Sequence, residues 1–401
     1  RYGGGYRPCA ACAPLPAIRY WEIYNEPNFG EDLAPQAIDA SRVLTAPTMF
    51  RGIVAASWGA LRATGHAHDT IVLGGLAARG ADGRPSKGAP EGFPGNFGET
   101  KPLEFIRALY CLDNNYREYR GGAARVRGCP ATAAASRRFR AQNPGLFNAS
   151  GFGVHPYPLG PDTAVPPNRT STPDPNFAAL SQLPNMAKTL DRSFRAYGSR
   201  RHLPIWNTEY GYITNPPNRS GVSLATQAYY LNWAEYISWR NPRIQSFMQY
   251  LLQDPNPTVG VSEYGGFSSG LLFYGGRPKP SYDAWRLPLY LPNATQRRGG
   301  RLRVWGCVRP AYYAALDTRQ PQHAYIQFLA SGSGSWTTLQ TLTLRGSSCY
   351  FDVPVKFPSS GTVRLAYVYP PTDLRLAPTI LSKYVDPLEP SVSRPVSITV
   401  K

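Results

Sequence analysis

Two short segments of the chain each end an apolar run on a carboxylate. The first is Tyr20-Trp21-Glu22-Ile23-Tyr24-Asn25-Glu26-Pro27-Asn28, and the second is Leu203-Pro204-Ile205-Trp206-Asn207-Thr208-Glu209-Tyr210-Gly211. Pro27 has no amide hydrogen to give to a ladder, so the first run stops there as a strand and Glu26 stands at its carboxyl end. Glu26 and Glu209 are 183 residues apart (209 minus 26), so separate strands must bring them together. Two carboxyl groups facing each other across a pocket can break a glycosidic bond. One, protonated, gives its proton to the leaving oxygen, and the other, ionised, attacks the anomeric carbon. A separation of about 5–5.5 Å leads to retention of configuration. An isolated Glu at a strand end is ordinarily just an exposed charge, so the reading rests on the matched pair.

The elements that must position this pair follow from the pattern. Strand candidates are 18–24, 70–76, 151–157, 203–210 and 244–252. Helix candidates between them include 48–63, 103–109, 180–197 and 226–239. Such alternation predicts βα units and a parallel sheet. In a (β/α)8 barrel the active site lies at the carboxyl ends of the strands, where both glutamates fall.

On these residues the chain resembles the clan A glycoside hydrolases, most closely family 39-like and family 5-like members. In that clan an Asn-Glu-Pro ends strand 4 and a Glu-bearing segment ends strand 7. The resemblance implies that Glu26 is the acid/base and Glu209 the nucleophile, and that Asn25 contacts the sugar 2-hydroxyl. It also implies that His155 and Tyr157 of Gly153-Val154-His155-Pro156-Tyr157 line the pocket and orient the nucleophile, and that Lys279-Pro280-Ser281-Tyr282 belongs to the segment closing the last helix. Trp206, Gln249 and Gln253 are weaker site candidates. Tyr210 and Tyr212 are candidates for a sugar-stacking platform.

The resemblance covers roughly residues 1–290 and makes the five strand candidates strands 4 to 8. A whole barrel needs three more βα units before them, about 100 residues. Only about 17 residues precede the first strand, and Arg1-Tyr2-Gly3-Gly4 reads as the end of a third helix, so Arg1 reads as a cut boundary. The expectation is an α/β fold: an incomplete (β/α)8 TIM barrel over 1–296, with open edges that a second copy would cover. The activity expected is that of a retaining β-glycosidase. The competing expectation is an inactive or weakly active carbohydrate-binding remnant, because the clan draws pocket residues from the missing strands.

Beyond residue 297 the texture changes to short strands, 301–308, 324–330, 336–344, 349–357, 362–369 and 396–401, separated by turns such as Ser331-Gly332-Ser333-Gly334, with no helical periodicity. This predicts a small all-β sandwich, immunoglobulin-like, over 297–401. The net charge of +18 comes mostly from scattered arginines. No basic helix or aromatic-interleaved basic strip accompanies them, so nucleic acid is not the expected partner. No apolar run is long enough to cross a bilayer. The six cysteines suit three disulfides formed outside the cytosol, paired by proximity as Cys9–Cys12, Cys111–Cys129 and Cys307–Cys349, and a secreted bacterial protein is expected. Cys9-Ala-Ala-Cys12 could instead be half a zinc site or a redox pair, but zinc needs a second ligand pair and none stands nearby. The chemistry calls for no cofactor and no metal; its partner is an oligo- or polysaccharide.

Overall fold

The structure is a computed structural model, and it describes residues 5–38, 41–84, 98–158, 165–170, 173–256, 267–345, 348–371 and 390–401. The helix end expected at Arg1–Gly4 lies outside them, as does part of the proline-rich loop 156–175. Compactness divides the chain into two units, Arg1–Tyr210 with Ser238–Gln249, and Gly211–Ile237 with Tyr250–Lys401. The fold is mixed α/β, with one parallel sheet of five strands and separate, mostly antiparallel sheets. Among the described residues no helix is long and apolar enough to cross a membrane.

The first unit holds the parallel sheet. Its strands are β1 (Tyr20–Asn25), β2 (Thr70–Ala77), β3 (Gly151–His155), β4 (Ile205–Tyr210) and β5 (Ile244–Gln249), adjacent in chain order. Parallel neighbours require long crossovers, and helices such as Ala46–Ala63, Pro102–Leu109 and Leu183–Ala196 occupy them. Each of these three carries Pro in its first turn, where the missing amide hydrogen costs nothing. In the last helix Leu183, Met186, Leu190 and Phe194 are buried, three or four residues apart, which is one stripe of a 3.6-residue period. Ile23, Ile71, Leu73, Phe152, Val154 and Ile205 give the sheet its buried apolar side chains. Among the described residues β1 and β5 are the edge strands.

Arg51 ties this layer together. It is 7% exposed, and its guanidinium donates to the carbonyls of Leu109 (2.7 Å), Arg127 (3.0 Å) and Gly128 (3.2 Å) and to the Thr48 hydroxyl (3.2 Å). Leu109 is the last residue of the Pro102–Leu109 helix, so a cation meets the negative end of its dipole and satisfies a carbonyl that has no intrahelical partner. Burial pushes the Arg51 guanidinium down to about 10. Beside it the disulfide Cys111–Cys129 closes the same loop; the second disulfide of this unit is Cys9–Cys12.

The second unit contains two antiparallel groups. Tyr350–Val355, Leu302–Cys307 and Leu289–Tyr290 form one sheet in that order. Thr337–Leu344, Gln322–Ala330, Gly361–Tyr367 and Val396–Val400 form the other, which ends on a parallel pairing with Thr295–Gln296. Val304, Ile326, Phe328, Val363 and Leu365 lie in their common buried cluster, and Cys307–Cys349 is the third disulfide. One expectation is corrected here. Arg309–Thr318 is a helix, within a region that shows no helical periodicity in sequence. Its buried face is only Pro310, Ala311 and Ala314, a stripe of small residues too narrow to register as a pattern. Lys279 of the Lys-Pro-Ser-Tyr segment is fully buried, with its ammonium 2.8 Å from Asp254 and 2.9 Å from the Thr214 hydroxyl.

Replacing Arg51 with Leu leaves several buried carbonyls without a donor, each worth about 1–3 kcal/mol. Thermal or urea unfolding of Arg51→Leu is expected to show a loss of roughly 3 kcal/mol or more, while Arg62→Leu on the same helix changes stability by about 0.5 kcal/mol or less.

Candidate active site

Strand β3 reads Gly151-Phe152-Gly153-Val154-His155, and a strand sends alternate side chains to opposite faces. Phe152 and Val154 therefore go to one side, and Gly151, Gly153 and His155 share the other. The two glycines create room. A β-carbon on Gly151 would lie 2.2 Å from Trp206 Cδ1, and one on Gly153 would lie 2.1 Å from Glu22 Oε1 and 1.8 Å from the Gly74 carbonyl oxygen. On β2, a β-carbon on Gly75 would lie 2.4 Å from His155 Nε2 and 3.1 Å from Glu22 Oε1. This face is thus built in rows along the strands. Trp206 lies over Gly151 with Tyr20 at 6.0 Å between ring centroids; Glu22 and Thr208 follow over Gly153; His155, Glu26, Glu209 and Tyr157 stand at the carboxyl end.

Backbone irregularity aims Glu26. Ile23 pairs with Leu73 and Asn25 with Gly75. Between them Tyr24 (φ 74°) and Gly74 (φ 54°) both take left-handed angles, and Glu26 itself has φ 37°. Such a conformation costs a residue with a side chain on the order of 1–2 kcal/mol, and it re-aims the side chains that follow, as a bulge does. The turn is held by buried amides. Asn28 donates to the carbonyls of Thr100 (2.9 Å) and Ala77 (3.2 Å) and accepts from the Ala77 amide (2.9 Å). Gln36 donates to the carbonyls of Leu33 (2.6 Å) and Pro27 (3.0 Å).

His155 joins the carboxylates. It is buried, and its Nδ1 lies 2.7 Å from Glu26 Oε1 and 3.5 Å from Glu209 Oε2. Tyr157 donates its hydroxyl to Glu209 Oε2 at 3.0 Å. One ligand atom from each of Glu26, His155 and Glu209 lies within 4.8 Å of the others, so the carboxylates face each other at close range. Their side chains stay 21% and 25% exposed, so a solute can reach both. Two carboxylates and an imidazole this close are also a donor set that could share a cation.

Electrostatics divide the carboxyl groups. Burial pushes Glu209 up, and Glu26 and Asp32 push the same way, against His155 and the Tyr157 hydrogen bond. Glu22 is raised from 4.5 to about 7, by desolvation first; the hydrogen bond from Thr208 (2.9 Å) and the charge of His155 oppose this, and Glu209 adds to it. Glu22 is solvent-accessible along the β1 edge, yet protein crowds its carboxyl group, so its setting is a recess and not a sealed core. Asp32 is raised by burial and Glu26, against a hydrogen bond from Asn25.

The sequence candidates are distributed unevenly. Glu26, Glu209, His155 and Tyr157 converge. Asn25 is exposed, and its amide lies 3.4 Å from Asp32 Oδ1. Trp206 lies deeper along the face than the carboxylate pair. Tyr210 is fully buried, stacked on Tyr157 at 6.4 Å and tilted against Phe247, so it supports Tyr157 and offers no face to a sugar. Tyr212, in the second unit, is buried as well. Gln249 ends β5 opposite Tyr210. Sequence reasoning passed over Glu22 and Thr208. Their signal is positional: Glu22 shares the strand of Glu26, and Thr208 precedes Glu209.

No family model matches the chain, and no curated protein matches it. Among solved structures it is similar to an FMN-binding β-glucuronidase from Facaelibacterium prausnitzii L2-6, at 11% identity and a TM-score of 0.30, over 96% of this chain and 47% of that one. It is similar to a xyloglucanase of glycoside hydrolase family 44 from Paenibacillus polymyxa, at 9% identity and a TM-score of 0.31, over 85% of this chain and 64% of that one. A superoxide reductase (neelaredoxin) from Ignicoccus hospitalis aligns with 29% of this chain and 80% of its own, at 12% identity and a TM-score of 0.21. The chain spans about half the length of the glucuronidase and under two thirds of the xyloglucanase. Likenesses this distant carry no argument about activity, which rests on the site itself.

Two outcomes follow from the packing of this face. Gly153→Ala drives a β-carbon into the Gly74 backbone and the Glu22 carboxyl, and is expected to destabilise by about 3 kcal/mol or more in urea unfolding. The second concerns pH. Below 4.5 Glu22 is protonated folded and unfolded; between 4.5 and 7 the unfolded chain gives up the proton first, so this group's stabilisation is lost as pH rises through that window. Gln has no such loss. The melting temperature of Glu22→Gln is therefore expected to match the native protein at pH 4 and exceed it at pH 8.

Proposed function

We propose that this protein is a retaining glycoside hydrolase acting on β-glycosidic bonds by double displacement, with Glu26 as acid/base and Glu209 as nucleophile. The observation that carries the reading is the pair of carboxylates held within 4.8 Å through His155 at the carboxyl ends of β1 and β4. That spacing leaves no room for a water between carboxylate and sugar and so favours direct attack and retention. The Tyr157 hydroxyl on Glu209 supports an ionised nucleophile, since a donated hydrogen bond favours the charged form. His155 on Glu26 supplies a polar partner for the group that must give and take a proton. The substrate is an oligo- or polysaccharide. On this reading β1 to β5 are strands 4 to 8 of a (β/α)8 barrel over 1–296, residues 297–401 are an immunoglobulin-like sandwich, and a second copy covers the open sheet edges of a secreted protein.

One observation favours the reverse division of roles. Burial pushes the Glu209 carboxyl up, and a raised carboxyl suits the acid. Leaving-group dependence separates the two. A dinitrophenyl leaving group needs no proton, so an acid/base variant keeps kcat/KM on it, which reads the first displacement, while losing roughly 10²–10⁴-fold in kcat/KM on a poor leaving group; a nucleophile variant loses both. Glu26→Gln is expected to show the first pattern and Glu209→Gln the second, with the first-formed sugar retaining its anomeric configuration by NMR. The opposite patterns exchange the roles. Native protein that binds glycans and turns over no glycoside is the remnant.

A further inference from the structure

His155 presents its two ring nitrogens to different surroundings. Nδ1 meets Glu26 and Glu209. Nε2 occupies the space over Gly75, and Glu22 Oε1 borders that same space. The slot exists because neither Gly75 nor Gly153 carries a β-carbon, and Thr208 fixes the carboxyl in it at 2.9 Å. We propose that Glu22 is a positioning residue for the proposed hydrolysis, which acts through His155 to set the pH at which the Glu26–His155–Glu209 cluster gives up its working proton. The inference rests on the glycosidase reading for its consequence and on geometry for its cause. The charged groups facing Glu22 are His155 from β3 and Glu209 from β4; β2 contributes only glycine there, and Glu26 and Asp32 face the cluster from the turn after β1. An ionised Glu22 on the Nε2 side holds a proton on the cluster, and an uncharged residue in its place releases that proton at lower pH. Interacting groups titrate as a unit, so the effect appears in the macroscopic profile of the cluster. Crowding raises Glu22 to about 7, so its charge changes between pH 5 and pH 8.

The test compares native protein and Glu22→Gln in the full chain. On an aryl glycoside with a poor leaving group, the alkaline limb of kcat/KM is expected to move down by about one pH unit. That is a roughly tenfold loss at pH 8, with less than about twofold change at pH 5. Independently of turnover, the ring resonances of His155, identified by their loss in His155→Asn, are expected to titrate at lower pH in Glu22→Gln than in the native protein. Thr208→Val, which keeps the side-chain shape and removes the hydrogen bond, is expected to move both readouts the same way by less, and it serves if Glu22→Gln does not fold. Superimposable pH profiles and ring titrations overturn the proposal. So does an even loss of activity at all pH values with the ring titration unmoved, which is a packing role only. A shifted ring titration in a protein that hydrolyses no glycoside leaves the coupling standing and removes the glycosidase reading instead.

Discussion

The absence of a side chain at Gly153 is the constraint on which the rest of this face depends. A sheet face is normally filled by its own alternating residues. Here β3 withdraws, offering Gly151 and Gly153 before His155, and residues from β1 and β4 fill the vacated space. Glu22 reaches over β2 toward β3, Trp206 covers Gly151, and the Gly74 carbonyl bulges toward the empty position. A methyl group at residue 153 would collide with backbone and carboxyl together. The two glycines thus convert an ordinary parallel sheet into a recess deep enough for polar side chains drawn from strands far apart in sequence.

That recess brings three carboxyl groups together in a setting that desolvates them. Glu26 has the imidazole, Glu209 has the Tyr157 hydroxyl and Glu22 has the Thr208 hydroxyl, and His155 is the basic group that, among the described residues, acts on all three. Glu22 and Glu209 are accordingly both raised by burial. The left-handed angles at Tyr24 and Glu26 add backbone cost at the same place. Cost of this kind persists where surrounding structure over-determines it, and the buried amides of Asn28 and Gln36 supply that determination by tying the turn after Glu26 to the end of β2.

How much of this was legible in sequence varies by residue. The five parallel strands were, because long βα alternation is a strong signal and each strand is a compact apolar run. The pairing of Glu26 with Glu209 was, because Pro27 and Gly211 mark where the strands stop. His155 and Tyr157 came from the resemblance of their motif. Glu22 was not legible, since its importance lies in empty space beside it, and two glycines on other strands create that space. Tyr210 looked like a platform because composition cannot tell a buried aromatic from an exposed one; the break in register between Asn207 and Tyr210 turns its ring inward. The helix Arg309–Thr318 was hidden by a buried stripe of alanine and proline that carries almost no hydrophobic pattern.

Crowded carboxyl groups have a use in the proposed reaction that they lack in a resting protein. Glycosidic cleavage develops positive charge at the sugar ring. In the free protein burial makes Glu22 and Glu209 retain their protons, and repulsion between the carboxylates adds to it. When a cation develops among them, the same charges become favourable, and the stabilisation exists only in the transition state. Interactions of that kind raise kcat instead of merely tightening substrate binding. Because the dipoles and charges are already in place, little reorganisation is needed as the reaction proceeds. The strain and repulsion built into this face of the sheet are therefore what a protein would carry if its recess were complementary to a cationic transition state and not to its own ground state.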